Sequence, residues 1–320
     1  AYLFPTTSQL TFWHGEPEIN IIEDFEAPKP YYMKFHYKAN YNGHFDKNGI
    51  PKLDYKGKIG MQYNPIAITQ YGLGNYNLFL DNGDNHNFEK FLSVALWLID
   101  NLELNKKNVP VWHHYFDFEY RNTLKSPWYS GLAQGLGISV LLRAYHETKD
   151  QKFLDAHEKA WISFTKNIDD GGVVYNDTDG NIWIEEYIVF PPTHILNGFI
   201  WALWGVYDNW KLNNSNNAKV LFEKCIKTLK YNLIKYDAGY WSLYEKSNTM
   251  FARVLRPAAF KPAGGIAKLA QQARFMATVE GSAGRAMPAS RARATPISHD
   301  RATFTIRVGH DNWRGGRTFG

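Results

Sequence analysis

A carboxylate beside a tyrosine can take a proton from carbon and give one back, and Glu185-Glu186-Tyr187 offers that pair. Burial moves a carboxylate from its usual pKa of about 4 up toward neutrality. A tyrosine, with an ordinary pKa of about 10, donates to a carbanion and, once ionised, is a strong base. Unusual residues concentrate in four blocks. Tyr63–Leu73 contains Gln70 and Tyr71, and Ser126–Gly135 contains Gln134. The third block runs from Glu185 through Pro191-Pro192 to Leu196-Asn197-Gly198-Phe199. The fourth, Tyr236–Glu245, contains Tyr244. Plainer readings stand beside these. A Glu-Glu pair is usually a solvated edge, and Asn-Gly usually marks a turn.

Metal chemistry is weakly supported. His113 and His114 point to opposite faces if they lie on a strand, so they read as ordinary buried or surface histidines. Asp81–Asn85 lacks the twelve-residue calcium-loop pattern and reads as a turn. No Cys/His cluster has zinc spacing, and the single cysteine, Cys225, sits in a helical pattern as a buried thiol. Neither a metal nor a redox cofactor is expected.

The elements that would hold these residues fall into two kinds. Up to about residue 58 the chain is aromatic and turn-rich. Tyr31–Tyr37 alternates partly, and Asn42-Gly43 and Asn48-Gly49 are hairpin-type turns, so short antiparallel strands are expected. From Asn87, a plausible N-cap, apolar residues follow helical spacing. Further helices are expected over Ser130–Thr148, Gln151–Lys166, Ile195–Trp210 and Ala218–Tyr236, with a hairpin over 172–187 and a strand over 240–244. Helix pairs separated by short β segments predict a mainly α fold with a small β part, an (α/α) toroid or barrel preceded by short antiparallel strands. The Ile195–Trp210 segment is apolar nearly all round and reads as an inner helix.

The blocks resemble the C-terminal region of the D-glucuronyl C5-epimerases. Glu185-Glu186-Tyr187, three residues, Pro191, three residues, then Ile195-Leu196-Asn197-Gly198-Phe199 fits that family's pattern without a gap. Gln134-Gly135 through Ser139 to Arg143-Ala144-Tyr145 is similar to its Gln-Gly…Ser…Arg-Ala-Tyr helix. Tyr236–Glu245 is similar to its Tyr-Asp-x-Gly…Tyr segment. The resemblance covers roughly 60–246. It implies a small β region before an (α/α)-barrel, an acidic polysaccharide substrate, a homodimer, and inversion of C5 of a hexuronate within the chain. By position, Glu186 and Tyr244 match catalytic residues. Tyr187 and Asn197 match positions at or near the site, and Gln134, Gln70 and Tyr71 are carried as further substrate-binding candidates. Two features depart from the pattern. The family's later Asp-Tyr-His-x-x-His-type motif has no counterpart, because no tyrosine follows Tyr244, and Ser247 stands where an arginine is expected.

Such chemistry removes a weakly acidic proton next to a carboxylate and returns one from the opposite face. It needs a base, an acid and donors for the carboxylate. A polysaccharide lyase, a glycoside hydrolase using Glu186 with Glu119 or Asp117, and an inactive glycan-binding domain are the competing readings.

Composition supports carbohydrate contact only loosely, with 16% aromatic residues in a 320-residue chain. The net charge of +5 is unevenly spread. Two arginines, Arg121 and Arg143, precede residue 250 and ten follow it. The organisation expected is therefore a β-rich region (1–58), an epimerase-like domain (59–250), and an Arg/Ala/Gly-rich tail (251–320). The tail reads as foreign sequence, a basic arm, or an ordinary domain end. Nucleic-acid binding rests on the tail alone and is not favoured. There is no secretory signal and no apolar run of membrane-spanning length, so no membrane association is expected and the cytoplasm is the default location.

Overall fold

Polar caps and apolar faces divide most of the chain into helical hairpins. The structure, a computed structural model, describes residues 12–13, 18–236 and 243–246. A short helix, α1 (His36–Ala39), precedes α2 (Pro65–Asn82). Helix α2 starts where Asn64 Oδ1 accepts from Ile66 N and Ala67 N at 2.9 and 3.2 Å, with Pro65 in the first turn. It stops at Gly83, whose positive φ of 72° closes the last turn. Asp84 then caps α3 (Asn85–Asp100). Ser130 caps α4 (Gly131–Thr148), and Asp150 caps α5 (Gln151–Trp161). Helix α6 (Leu196–Asn213) is followed by α7 (Asn216–Asn232), capped by Ser215.

The helices alternate in character. Helices α2, α4 and α6 are buried almost all round through most of their length. Helices α3, α5 and α7 bury one stripe each, such as Phe91, Val94, Ala95 and Leu98 on α3. Each inner helix packs on the outer helix that follows it, and α4 also packs on both α2 and α6. The α4–α6 approach is close enough that a Cβ on Gly135 would fall 2.5 Å from Ala202 Cα. This fixes glycine at the crossing.

Small antiparallel sheets fill the gaps between hairpins. Strands β1 (His44–Phe45), β2 (Pro51–Asp54) and β3 (Met61–Gln62) form one in sequence order. After α3 come β4 (Leu102–Leu104), β5 (Pro110–His114), β6 (Phe118–Glu119), β7 (Thr123–Leu124) and β8 (Trp128–Tyr129). They pair as β4-β5-β8 and β6-β7. Strands β9 (Val174–Asn176) and β10 (Ile182–Ile184) form the hairpin expected at 172–187, with Trp183 opposite Tyr175.

One buried ion pair ties the N-terminal segment to two inner helices. Arg143 Nη1 on α4 meets Asp208 Oδ2 on α6 at 2.5 Å, both within 1% of full burial. Tyr32 donates to Asp208 at 2.7 Å, and Arg143 also donates to the Lys29 and Pro30 carbonyls. Every charge and donor in this cluster has a partner, as burial demands.

Several local expectations need correction. The 31–37 strand reduces to a single bridge, Ile19 with Met33, because Phe35 takes a positive φ and α1 begins. Asn48-Gly49 forms the β1–β2 turn, with Gly49 N donating to the Asp46 carbonyl, whereas Asn42-Gly43 only leads into β1. The first long helix begins at Pro65, not near Asn87, and the second is capped by Asp84 rather than Asn87. The predicted 151–166 helix tightens into a 3-10 turn at Ile162–Thr165. Sheet and core both run across residue 58: β3 pairs with β2, and Tyr31, Met33 and Ile50 join the same apolar core as Leu73. Most of the strand expected at 240–244, and all of the 251–320 tail, lie outside the described residues.

Candidate active site

The site grows from the end of β10. Beyond Ile184 the backbone stays tied down: Glu185 N donates to Val173 O at 2.9 Å, and Gly131 N, opening α4, donates to Glu185 O at 3.0 Å. Neighbouring side chains on extended backbone point to opposite sides, and the two glutamates have different partners. Glu185, fully buried, accepts from His194 N at 3.0 Å and meets His194 Nδ1 at 2.5 Å. Glu186, 4% exposed, packs on the first turn of α6, where a Cβ on Gly198 would fall 2.5 Å from its own Cβ. The solvated-edge reading of this pair is therefore excluded.

Tyr244 arrives from far along the chain. Leu196 N donates to Tyr244 O at 3.0 Å, Ile195 bridges Glu245, and Lys246 N donates to Thr193 O at 3.2 Å. This short pairing lays residues 244–246 along the start of α6. The Tyr244 hydroxyl then donates to Glu186 Oε1 at 3.4 Å, toward the long end for a hydrogen bond. Glu245 is held by Arg121 Nη2 at 2.6 Å and by the Tyr120 hydroxyl. Tyr120 stacks obliquely on Tyr187 at 4.7 Å, and Trp128 meets Tyr187 edge-on at 5.8 Å.

Burial dominates the electrostatics. It pushes the Glu186 carboxyl up to about 7, against hydrogen bonds from Tyr187 and Tyr244 that favour the ionised form, with Glu185 adding to the rise. Among the described residues, Glu186 Oε2 is buried without a hydrogen-bond partner. Such an oxygen is rare in a folded interior and is positioned to accept a proton or a donor. The Tyr187 and Tyr244 hydroxyls are held well above the ordinary tyrosine value, first by burial and then by the Glu186 charge. Both are therefore proton donors at neutral pH. The arrangement is a carboxyl poised near neutrality against two protonated phenols.

The sequence-derived candidates divide. Glu186, Tyr187 and Tyr244 come together. Asn197 is half-buried on the same first turn of α6 as Gly198. Gln134 does not join them: its Oε1 accepts from Trp112 N at 2.9 Å and its Nε2 donates to Ser163 at 3.1 Å, so both ends tie α4 to the scaffold. Gln70 and Tyr71 lie on the buried stretch of α2, where Tyr71 packs on Phe45 at 5.5 Å. Neither has a hydrogen bond or ring contact with the Glu186 cluster among the described residues. Glu119 bonds Thr123, and Asp117 bonds Lys125, both at exposed positions. His114 is buried and stacked on Trp128 at 3.7 Å, and desolvation pulls its pKa down to about 3. Cys225 is buried and its thiol is pushed up by burial. Among the described residues no three His, Cys, Asp or Glu side chains are grouped to hold a metal ion, and no helix is long and apolar enough to cross a membrane.

Sequence reasoning missed the Glu185–His194 pair, Gly198 as the seat of Glu186, and the Arg121–Glu245 link. One signal was present for the last. Both arginines before residue 250 make buried or half-buried ion pairs, Arg143 to Asp208 and Arg121 to Glu245.

Comparison with known proteins places a segment of the chain beside one family. Residues 106–261 match the family described as D-glucuronyl C5-epimerase C-terminus. A D-glucuronyl C5-epimerase of Caenorhabditis elegans is 36% identical over 168 residues, which is 48% of this chain and 27% of that protein. An uncharacterized protein of Methanocaldococcus jannaschii is 28% identical over 247 residues, 70% of this chain and 75% of its own length. The chain thus spans about a quarter of the worm protein's length and three quarters of the archaeal one's. Residues 106–261 are therefore similar to the C-terminal domain of the D-glucuronyl C5-epimerases. That segment contains Glu186, Tyr187, Asn197 and Tyr244, whereas Gln70 and Tyr71 fall outside it.

Proposed function

We propose that the protein is an epimerase that inverts C5 of a hexuronate, D-glucuronate or L-iduronate, within an acidic polysaccharide. The observation that carries this reading is the buried Glu186 carboxyl, raised to about 7 and hydrogen-bonded by Tyr244 within the family-matched segment. A base of that pKa is half ionised near neutrality, where acid–base catalysis is most effective. In this reading Glu186 and Tyr244 exchange a proton with C5 on one face. Inversion needs a donor on the other face, and Tyr187, protonated in the same network, is the group we assign to it. Asn197, on the first turn of α6, orients the sugar. The positive end of the α6 dipole lies on the same turn, where it favours the charge that develops as the enediolate forms.

We further read the three hairpins, each an inner helix followed by an outer one, as part of an (α/α) toroid. Substrate, partners and assembly, including a homodimer and the absence of nucleic-acid or membrane partners, belong to the same proposal. The reading requires the Tyr244 hydroxyl. Tyr244→Phe is expected to lower exchange of the C5 hydrogen with solvent tritium by about 10²-fold, the lower end for a positioned acid–base group, because Tyr187 stays in place. Exchange at the parent rate in this variant would remove Tyr244 from the mechanism.

A further inference from the structure

Among the described residues, the long helices other than α6 start on a capping side chain. Asn64, Asp84, Ser130, Asp150 and Ser215 each accept from the first turn that follows. Helix α6 has Ile195 at its N-cap position, a side chain with no oxygen to offer. Yet the candidate site is assembled on this turn. Gly198 seats Glu186 there, and Ile195 and Leu196 pair with Glu245 and Tyr244.

The residue before Ile195 takes over the task of fixing the turn. His194 donates its backbone N–H to Glu185 Oε2 at 3.0 Å, and its Nδ1 meets Glu185 Oε1 at 2.5 Å. The second contact requires the ring tautomer with its proton on Nδ1. The His194 carbonyl accepts from the Tyr236 hydroxyl. The ring stacks on Trp183 at 4.2 Å, and Trp183 donates to Asp177 at 2.9 Å. Together these contacts hold His194 at a φ of 52°, a left-handed conformation that few non-glycine residues adopt. Such strain persists where the surroundings over-determine it, and it gathers at functional sites. The Glu185 end is equally fixed, since its N–H and carbonyl bond Val173 and Gly131.

We propose that His194 is a positioning residue, clamped by Glu185, that sets the contact between Glu186 and Tyr244. Glu186 directly follows one end of the clamp in the chain. Tyr244 is placed by its pairing with Leu196, which lies two residues past the other end. One link therefore holds both partners of the 3.4 Å Tyr244–Glu186 contact. A misplacement of about 1 Å at an acid–base group costs on the order of 10²-fold in rate. The effect on rate rests on the epimerase reading; the clamp itself does not.

Two variants of the full chain test it. His194→Gly relaxes the left-handed φ but removes the Nδ1 donor. His194→Asn keeps an N–H donor close to the place of Nδ1 and also tolerates that φ. Backbone amide exchange read by mass spectrometry needs no substrate. In His194→Gly, protection over 193–198 and 244–246 is expected to fall by about 10-fold or more while α4 keeps the parent value. Solvent-tritium uptake at C5 of heparosan, a glucuronate polymer, should show kcat down by about 10- to 100-fold with KM within about twofold. His194→Asn should restore the protection and bring kcat to within about threefold of the parent. Parent protection or a parent kcat in His194→Gly overturns the proposal. So does a loss of protection that extends equally over α4, the mark of general destabilisation, or a His194→Asn variant no better than His194→Gly. A parent that takes up no tritium at C5 counts against the epimerase reading instead, and amide protection then decides the clamp alone.

Discussion

Glu186→Gln is expected to lower C5 exchange by about 10²- to 10⁴-fold while leaving a more stable protein above neutral pH. The activity loss follows from removing the group poised to take the proton. The parent rate should rise with pH through about 7, as the Glu186 carboxyl ionises. The stability gain follows from the same burial. Glu186 titrates at about 7 in the folded chain against its ordinary 4.5. The folded state therefore prefers the neutral acid. That preference is fully present below about pH 4.5 and is lost as pH rises through about 7. Glutamine mimics the neutral acid and keeps an oxygen to accept from Tyr244. At pH 8 the variant should be more stable by up to about 3 kcal/mol, from 1.36 kcal/mol per pKa unit, and at pH 4 the two should match. Urea unfolding at both pH values reads this directly. Equal stability at pH 8 would show that burial does not destabilise the ionised Glu186, and exchange within a factor of about ten of the parent would show that it is not catalytic.

Arg143→Met is expected to destabilise the fold by about 3 to 5 kcal/mol, the range for breaking a buried pair from one side. Methionine fills much of the space but leaves the Asp208 carboxylate buried with the Tyr32 hydroxyl as its one remaining side-chain donor among the described residues. The Lys29 and Pro30 carbonyls lose their donors as well. The damage should reach the site only through the fold, since α4 and α6 carry both the ion pair and the turn on which Glu186 rests. The double change Arg143→Met with Asp208→Leu should recover much of the loss, because an apolar pair no longer strands a charge. A loss below about 1 kcal/mol in the single variant, of surface-pair size, would mean that solvent reaches Asp208.

The hairpins were legible where local chemistry and burial agree. Ser130 before α4 and the turn at Lys149-Asp150 mark helix ends whatever the tertiary context. Helix α2 was missed because Asn75 and Asn77 interrupt its apolar pattern. They are buried all the same, since Asn77 accepts from Tyr31 N at 2.8 Å and donates to Met33 O at 2.8 Å. A polar residue that bonds a distant backbone segment looks exposed in sequence.

Glu186, Tyr187 and Tyr244 were legible through their chemical types and the family pattern. Gln134 carried the same kind of signal, yet its amide joins two scaffold elements. A motif residue's type does not tell whether its polar end faces a ligand or a neighbouring strand. The Glu185–His194 link closes a loop of nine residues and the Arg121–Glu245 link joins positions 124 apart, and both form only when the chain folds. No periodicity or cap announces them.

The central claim is tested most directly by incubating the protein in deuterated water with glucuronate-containing polysaccharides and following C5 by NMR. Deuterium at C5, with both C5 configurations appearing and the polymer length unchanged, is the expected result. No deuterium at C5, or its replacement by an unsaturated uronate or by new reducing ends, would contradict the assignment of Glu186 and the tyrosines to C5 inversion.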